Sequence, residues 1–361
     1  MTLFDSIALT LKLIFVLGVT LNAVPVMVWF ERRGSAWIQG RVGPNRVGPF
    51  GLLQPVADVI KFVFKENFVP AQASKFYYHL APAIAAIAPI AAFAAIPFGS
   101  YLMINGREVP LQIAQLDMGV LSVLAFAGLE VYPIMLAGWA SNNKYAIFGA
   151  LRGSSQMVSY EIALGLSLVS MLLVYGSLDL NVIVQYQDDK WFGVIPRWGM
   201  FMNPVAFIIF LIAIFAETNR LPFDLPEGDA ELVAGYHVEY GATKFAMFFF
   251  AEYVAMIMAS SVLVTLFAGG YSLLPGLGLL SNGVASLVGF GADGTQNLIA
   301  ILQALGFIFK VACVMFFFVW VRWTLPRFRF DQLMNLGWKI LFPIALANLM
   351  FVAIVIALVG V

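Results

Sequence analysis

The run Phe201-Met-Asn-Pro-Val-Ala-Phe-Ile-Ile-Phe-Leu-Ile-Ala-Ile-Phe-Ala216 passes directly into Glu217-Thr-Asn-Arg-Leu-Pro-Phe-Asp-Leu-Pro-Glu-Gly-Asp-Ala-Glu231. An almost wholly apolar segment is thus followed by a loop dense in carboxylates. The alternation continues along the chain. Apolar runs lie near 7–30, 78–100, 117–138, 155–175, 201–216, 245–268, 298–320 and 338–360, most of them long enough to cross about 30 Å of hydrocarbon as helix. The fold class expected is therefore all-α and polytopic, with about eight transmembrane helices. The 201–216 run is short and is expected to borrow residues from the acidic loop.

Composition agrees. Hydrophobic residues make up 61% and charged residues 11%, and mean hydropathy is +0.90, far from the roughly 25% charged of a soluble domain. Net charge is zero, but its distribution orients the chain through the positive-inside bias. Loops 31–77, 139–154, 217–244 and 321–337, with the first residues of the helices that follow them, carry 15 of the 20 Lys and Arg. Lys12, Arg107, Lys190 and Arg197 fall on the other side, and Lys310 lies inside a span. Both termini are expected outside. The first run lacks a basic n-region and a small-residue cleavage site, so it reads as a retained helix. The whole of 1–361 reads as one integral membrane domain, with a basic inner loop at 31–77 and an acidic one at 217–244.

Scarce residue types exclude several chemistries. With one cysteine, Cys313, and two histidines, His79 and His237, the chain cannot supply the roughly four thiolates of an iron-sulfur cluster or a convincing intramembrane haem site. No dinucleotide fingerprint or phosphate loop is present. Any redox cofactor is expected in a partner, no metal site is expected, and nothing points to nucleic acid.

The first inner loop, Glu31 to Phe50, mixes Arg32, Arg33, Arg41 and Arg46 with glycines and prolines, so irregular structure is expected there. A segment attracted to anionic phospholipid would explain the composition. A shaped loop whose arginine forks orient a polar headgroup or a partner's carboxylates would explain it equally. From Gly51 to Lys65, Leu52, Val56, Val59, Ile60 and Val63 share one helical face and Asp58, Lys61 and Lys65 another. This spacing predicts an interfacial amphipathic helix.

Glu130, Glu161 and Glu252 fall inside apolar runs, where a carboxylate is costly and reads as functional by default. From the apolar boundaries each lies about 9–12 Å from the inner end of its span, so a single level is expected. Grouped carboxylates in low dielectric cannot all ionise, which suits a proton relay. The competing reading satisfies each acid separately, through Tyr132, Tyr160, Tyr253 or a basic residue. Glu217, Asp224, Glu227, Asp229, Glu231 and Glu239 crowd six of the 20 acidic residues into 23 positions. Pro222 and Pro226 bar a regular helix there, so the loop is expected to line a polar opening onto the buried acids.

The motif Ala216-Glu-Thr-Asn-Arg220, with Pro-Phe-Asp and Glu-Gly-Asp-Ala-Glu-Leu-Val-Ala-Gly-Tyr236, resembles the NADH dehydrogenase subunit 1 family, a membrane subunit of NADH:quinone oxidoreductase, respiratory complex I. The resemblance extends to Glu31-Arg-Arg, Gly43-Pro-Asn, Gly48-Pro-Phe-Gly-Leu-Leu-Gln-Pro-Val-Ala-Asp58, Gly138-Trp-Ala-Ser-Asn, Ser159-Tyr-Glu161, Ala251-Glu-Tyr and Pro326-Arg-Phe-Arg-Phe-Asp-Gln-Leu-Met334. Asp229 stands where the family commonly has glutamate. The resemblance implies a subunit at the joint of the hydrophilic and membrane arms, in a bacterial or mitochondrial inner membrane. Ubiquinone would be the substrate, and FMN, NADH and iron-sulfur clusters would belong to partner subunits. The first inner loop, the 51–65 helix and the spans at 7–30 and 245–268 would form the quinone entrance, with Arg32, Arg33, Arg41 and Asp58 in the chamber. Glu130, Glu161, Glu217, Asp224, Glu227, Asp229, Glu231 and Glu252 would form the coupling relay. Other readings are an anchor subunit of a related membrane-bound hydrogenase, a stand-alone proton or cation transporter, and a purely structural docking platform.

Overall fold

The computed structural model describes residues 3–191, 195–228, 233–274 and 291–359. Its helices are α1 (Leu3–Ile38), α2 (Gln54–Phe64), α3 (Lys75–Ala92), α4 (Gly119–Gly128), α5 (Val131–Ala140), α6 (Lys144–Tyr175), α7 (Leu180–Asp188), α8 (Gly199–Met202), α9 (Pro204–Glu217), α10 (Ala242–Phe267), α11 (Ala292–Thr324), α12 (Phe330–Asn335) and α13 (Phe342–Val359). A π-helical turn, Leu336–Leu341, joins the last two. Among the described residues, seven helical stretches are long and apolar enough to cross a membrane, and Pro204–Glu217 is a shorter apolar helix beside them. Each of the eight apolar runs is thus mainly helical over its described residues. Among the described residues there are two antiparallel strand pairs: β1 (Tyr101–Ile104) with β2 (Arg107–Pro110), which turns through Asn105 and Gly106, both at positive φ, and β3 (Lys190–Trp191) with β4 (Ile195–Pro196).

Two boundaries depart from the sequence reading. Helix α1 does not stop near residue 30 but carries Glu31, Arg32 and Arg33 as helical residues to Ile38, because these side chains are good helix formers. It ends at Gly40, whose φ of 63° is the left-handed conformation of a helix stop. The amide of Arg41 then donates to Ala36 O at 2.9 Å. Irregular structure therefore begins after Ile38 rather than at Glu31. Helix α9 takes only the first residue of the acidic loop: it ends at Glu217. Pro204 at its first turn and the Asn203 side chain, accepting from Ala206 N at 3.0 Å, fix its other end. At 14 residues it is about 21 Å long, and the short α8 precedes it on the side away from the acidic loop.

The amphipathic segment forms α2, which lies within the expected limits. The span holding Glu130 is broken into α4 and α5. Pro133 has no amide to offer Leu129 O, and the chain passes through tight turns instead, Leu129 N to Phe126 O at 3.2 Å and Glu130 N to Ala127 O at 2.9 Å. Around this break the long α6 packs against α5, α9 and α13, while α10 packs against α3. Helix α10 is the most enclosed of the spans, and α1 and α13 are peripheral. Their outward residues, among them Leu11, Ile14, Phe15, Phe351 and Leu358, are exposed and apolar, a surface suited to lipid or to neighbouring helices.

Polar side chains brace the end of the bundle away from the acidic loop. Gln187 on α7 is fully buried; its Oε1 accepts from Gly199 N at 3.2 Å and Gly269 N at 2.9 Å, and its Nε2 donates to Thr265 O at 2.8 Å. Lys310, the one basic residue expected inside a span, donates to the carbonyls of Gly270 and Ser272, each at 2.9 Å, and lies 5.1 Å from the Trp198 ring centre. Its charge is solvated by carbonyls in place of water. Gln187→Leu orphans two amides and a carbonyl, and the expected cost is about 2–4 kcal/mol, read as a lower unfolding temperature in detergent. An unchanged temperature would contradict the bracing role.

Candidate functional site

Each buried acid is delivered by a different local device. Glu130 sits in the break between α4 and α5, Glu217 ends α9, and Glu252 projects from the third turn of α10. Together with Glu227, Asn219 and Tyr236 they line one cavity of about 50 Å³, room for roughly three waters. Glu161 is on α6 and does not line it. Its carboxylate lies against Gly128, where even a Cβ would come within 2.9 Å of Oε1, and it acts electrostatically on Glu217. Glu217 in turn acts on Glu130. Beyond Glu217 lies a second void of about 30 Å³ walled by Val123, Leu124, Leu168, Phe210, Met258 and Val262. Among the described residues Glu217 is the only titratable one of that wall, and so divides a polar chamber from an apolar one. One oxygen of Glu130, Oε1, is buried without a hydrogen-bond partner among the described residues.

The tyrosines next to the glutamates do not pair with them. Tyr160 donates to Leu333 O at 2.9 Å, Tyr253 donates to Glu31 Oε2 at 2.7 Å, and Tyr132 is exposed.

The acidic loop is held from several sides. Gln156 of α6 is completely buried, and its Nε2 reaches Ala216 O and Phe223 O, each at 2.8 Å, and Asn219 Oδ1 at 3.2 Å. One side chain thereby ties the end of α9 to the start of the loop. Asp224 pairs with Arg327 at 2.7 Å. Burial, then the neighbouring Glu227, push the Asp224 carboxyl up to about 6 against the pull of Arg327. Glu227 accepts from Tyr236 Oη at 2.9 Å and lies 3.8 Å from His237 Nδ1. Burial and the Glu227 charge hold the Tyr236 hydroxyl firmly protonated. Glu239 accepts from Asn143 Nδ2 at 2.6 Å, away from the cavity. Asp229 and Glu231 lie outside the described residues.

In the first inner loop, Arg32 meets Asp58 of α2 at 2.6 Å, and Lys61 lies 3.4 Å from the same carboxylate. Burial works against the Asp58 charge, but Arg32 and then Lys61 outweigh it and hold the carboxyl below its ordinary value. Arg33 turns to the loop backbone, donating to Pro44 O at 3.2 Å and Phe50 O at 3.4 Å. Arg41 is exposed and bonds Gln39 at 2.6 Å, so the structure brings Arg32 and Asp58 together and leaves Arg41 apart.

Reading the sequence missed a buried charge cluster. Arg220 is 8% exposed, with Nε 2.8 Å from Glu252 Oε1 and Nη1 3.5 Å from Glu31 Oε2. Its guanidinium lies 4.3 Å from the Tyr253 ring centre, a cation–π distance. Arg322 of α11 pairs with the other oxygen of Glu31. Burial opposes the Arg220 charge, but Glu252, Tyr253 and Glu227 outweigh it and keep the group firmly protonated. The only signal in the sequence was that Glu31, Arg220 and Arg322 each flank an apolar run.

A family model described as NADH dehydrogenase matches residues 11–353. The chain is 47% identical over 343 residues to NADH-quinone oxidoreductase subunit 8 of Rhodothermus marinus, covering 95% of each protein. It is 46% identical over 345 residues to a NADH-quinone oxidoreductase subunit of Salinibacter ruber, covering 96% of this chain and 95% of that protein. With a NADH-quinone oxidoreductase subunit of Bdellovibrio bacteriovorus it shares 43% over 381 residues, covering 98% and 97%. The chain with these broken spans and paired inner-loop charges belongs to the NADH dehydrogenase family, whose members include subunits of NADH-quinone oxidoreductase.

Proposed function

We propose that this chain works as the membrane subunit of a proton-pumping NADH:quinone oxidoreductase, lining part of the quinone chamber and carrying a carboxylate relay away from it. The observation that carries the reading is the single cavity shared by Glu130, Glu217, Glu227 and Glu252, which runs from the acidic loop into the membrane-spanning bundle. Tyr236 is part of its wall, Asp224 feels the charge of Glu227, and Glu161 acts electrostatically on Glu217 from outside it. Asp229 and Glu231 extend the same acidic loop.

Reducing a quinone to a quinol takes up protons as well as electrons. Electrons come from an iron-sulfur cluster of a partner subunit, and partner subunits also hold FMN and bind NADH. The role of this chain is to bind and to move charge. Arg32, Arg33, Arg41 and Asp58 are assigned to the chamber, where the Arg32–Asp58 pair fixes α2 against α1 and offers a fork of N–H donors to a quinone carbonyl. A proton withdrawn at the loop end changes the charge felt by Glu227 and Glu252. Carboxylates this close share protons rather than ionising independently, and a few waters in the cavity let the change pass to Glu217 and Glu130. The whole chain acts as one membrane domain in a bacterial or mitochondrial inner membrane, in contact with phospholipid and with the other subunits of the complex.

Isolated ion flux by the chain alone is not part of this reading, and a hydrogenase anchor would show no quinone dependence. In an assembled complex, Glu217→Gln and Glu252→Gln are each expected to lower quinone reduction and proton pumping together by about tenfold or more, with cofactor content unchanged. Wild-type rates in both variants would refute the relay.

The pH dependence has a definite sign. The folded-state value of Asp224, about 6, lies above that of an ordinary aspartate. The stability it contributes is therefore full below about pH 4 and is lost as pH rises through about 6. Asp224→Asn is expected to remove a titration near pH 6 from the rate profile and to leave stability at pH 7 equal or higher. Thermal unfolding and a pH–rate series check both, and a retained step would assign it to another group.

A further inference from the structure

Glu31 stands outside the carboxylate cavity. It borders a separate gap of about 10 Å³ with Met27, Arg220, Met256 and Arg322. Its two oxygens are nonetheless fully engaged, one by Arg322 and the other by the Tyr253 hydroxyl at 2.7 Å and Arg220 at 3.5 Å. Glu252 is a wall of the cavity, and among the described residues Arg220 is its only ion-pair partner. One guanidinium therefore faces two carboxylates on different helices, Glu31 on α1 and Glu252 on α10.

Neither carboxylate owns this cation. Arginine pairs most strongly through two parallel N–H bonds to one carboxylate, yet here a different nitrogen approaches each acid. Nε is 2.8 Å from Glu252 but off the line of its N–H, and both Nε and Nη2 lack a hydrogen bond among the described residues. The Tyr253 ring supports the face of the guanidinium, and the hydroxyl of the same residue holds Glu31. The cation is thus confined to a plane between two competing anions. Neutralising either one releases it toward the other, because a buried charge cannot stay unpaired.

We propose that Arg220 is a positioning residue that couples α1 to the carboxylate cavity by sharing its guanidinium between Glu31 and Glu252. This rests on the relay reading of Glu252. A charge change near the quinone chamber, where Glu31 is followed directly by Arg32, reaches Glu252 through movement of Arg220 rather than through a proton. The other groups facing these acids are Arg322 and Tyr253 on Glu31, and Glu227, Asp224 and Tyr236 around Glu252. A lysine keeps the charge but is a single point on a flexible stem, so it serves one acid at a time.

The test is a double-mutant cycle in membranes carrying the assembled complex, with decylubiquinone as substrate. NADH oxidation by an artificial acceptor that bypasses quinone monitors assembly. Glu31→Gln is expected to lower kcat about tenfold with KM for decylubiquinone within about twofold, and Glu31→Asp to restore most of the rate. Combined with Glu252→Gln it is expected to cost less than about threefold more than Glu252→Gln alone, whereas in an Arg220→Lys background the two losses multiply. Losses that multiply in the wild-type background overturn the proposal, as does an effect of Glu31→Gln on KM alone. That cycle decides the matter even if Arg220→Lys fails to assemble. A wild-type rate for Glu252→Gln would instead sink the relay reading, whereas a low rate with no coupling to Glu31 sinks only the role of Arg220.

Discussion

A charge inside an apolar bundle has to be balanced where it stands, and the pairing of Arg220 with Glu252 and Glu31 is where this chain meets that requirement. The three residues come from the acidic loop, α10 and α1, and Arg322 brings in α11. Removing one member would strand another without water, so the cluster fixes how these segments sit against one another. The loop cannot slide without uncovering a buried guanidinium. Gln156 fastens the same loop from the side of α6, at Ala216, Asn219 and Phe223, so the loop between Glu217 and Asp224 is held at both of these anchors.

Breaks in helices supply the polar chamber. An unbroken span at Glu130 would satisfy its own backbone and direct one side chain toward a neighbour. The break before Pro133 instead places Glu130 at a turn, facing the end of α9 and the wall of α10. Helix α9 stops after 14 residues, so Glu217 lies where the bundle is still apolar on one side and already polar on the other. Irregular backbone at this depth is tolerated because it lines a cavity rather than lipid. A chamber lined by polar groups beside an apolar one, with a carboxyl at the boundary, is the geometry on which the proposed relay rests.

Much of this could be read from the residues in order. The length of uninterrupted apolar runs located the eight segments, periodicity located α2, and the two prolines of the acidic loop ruled out a regular helix there. Asn105-Gly106 was a readable hairpin signal that went unused, as were Gly128 and Pro133 on either side of the break at Glu130. The charge cluster was not readable in the same way. Glu31 and Arg322 look like ordinary boundary residues of apolar runs, and only the continuation of α1 past residue 30 brings Glu31 to Arg220. The separation of Glu161 from the cavity was equally hidden, because depth along a helix says nothing about which way a side chain faces. What stays illegible is set by tertiary packing, not by local propensity.

The measurement that bears most directly on the relay is a structure of the assembled complex with quinone bound, at a resolution that shows ordered water. Waters joining Glu227, Glu252, Glu217 and Glu130 in one hydrogen-bonded chain, with the apolar void beyond Glu217 dry, is the expected result. A cavity filled by side chains, or these acids in separate closed pockets, would contradict it.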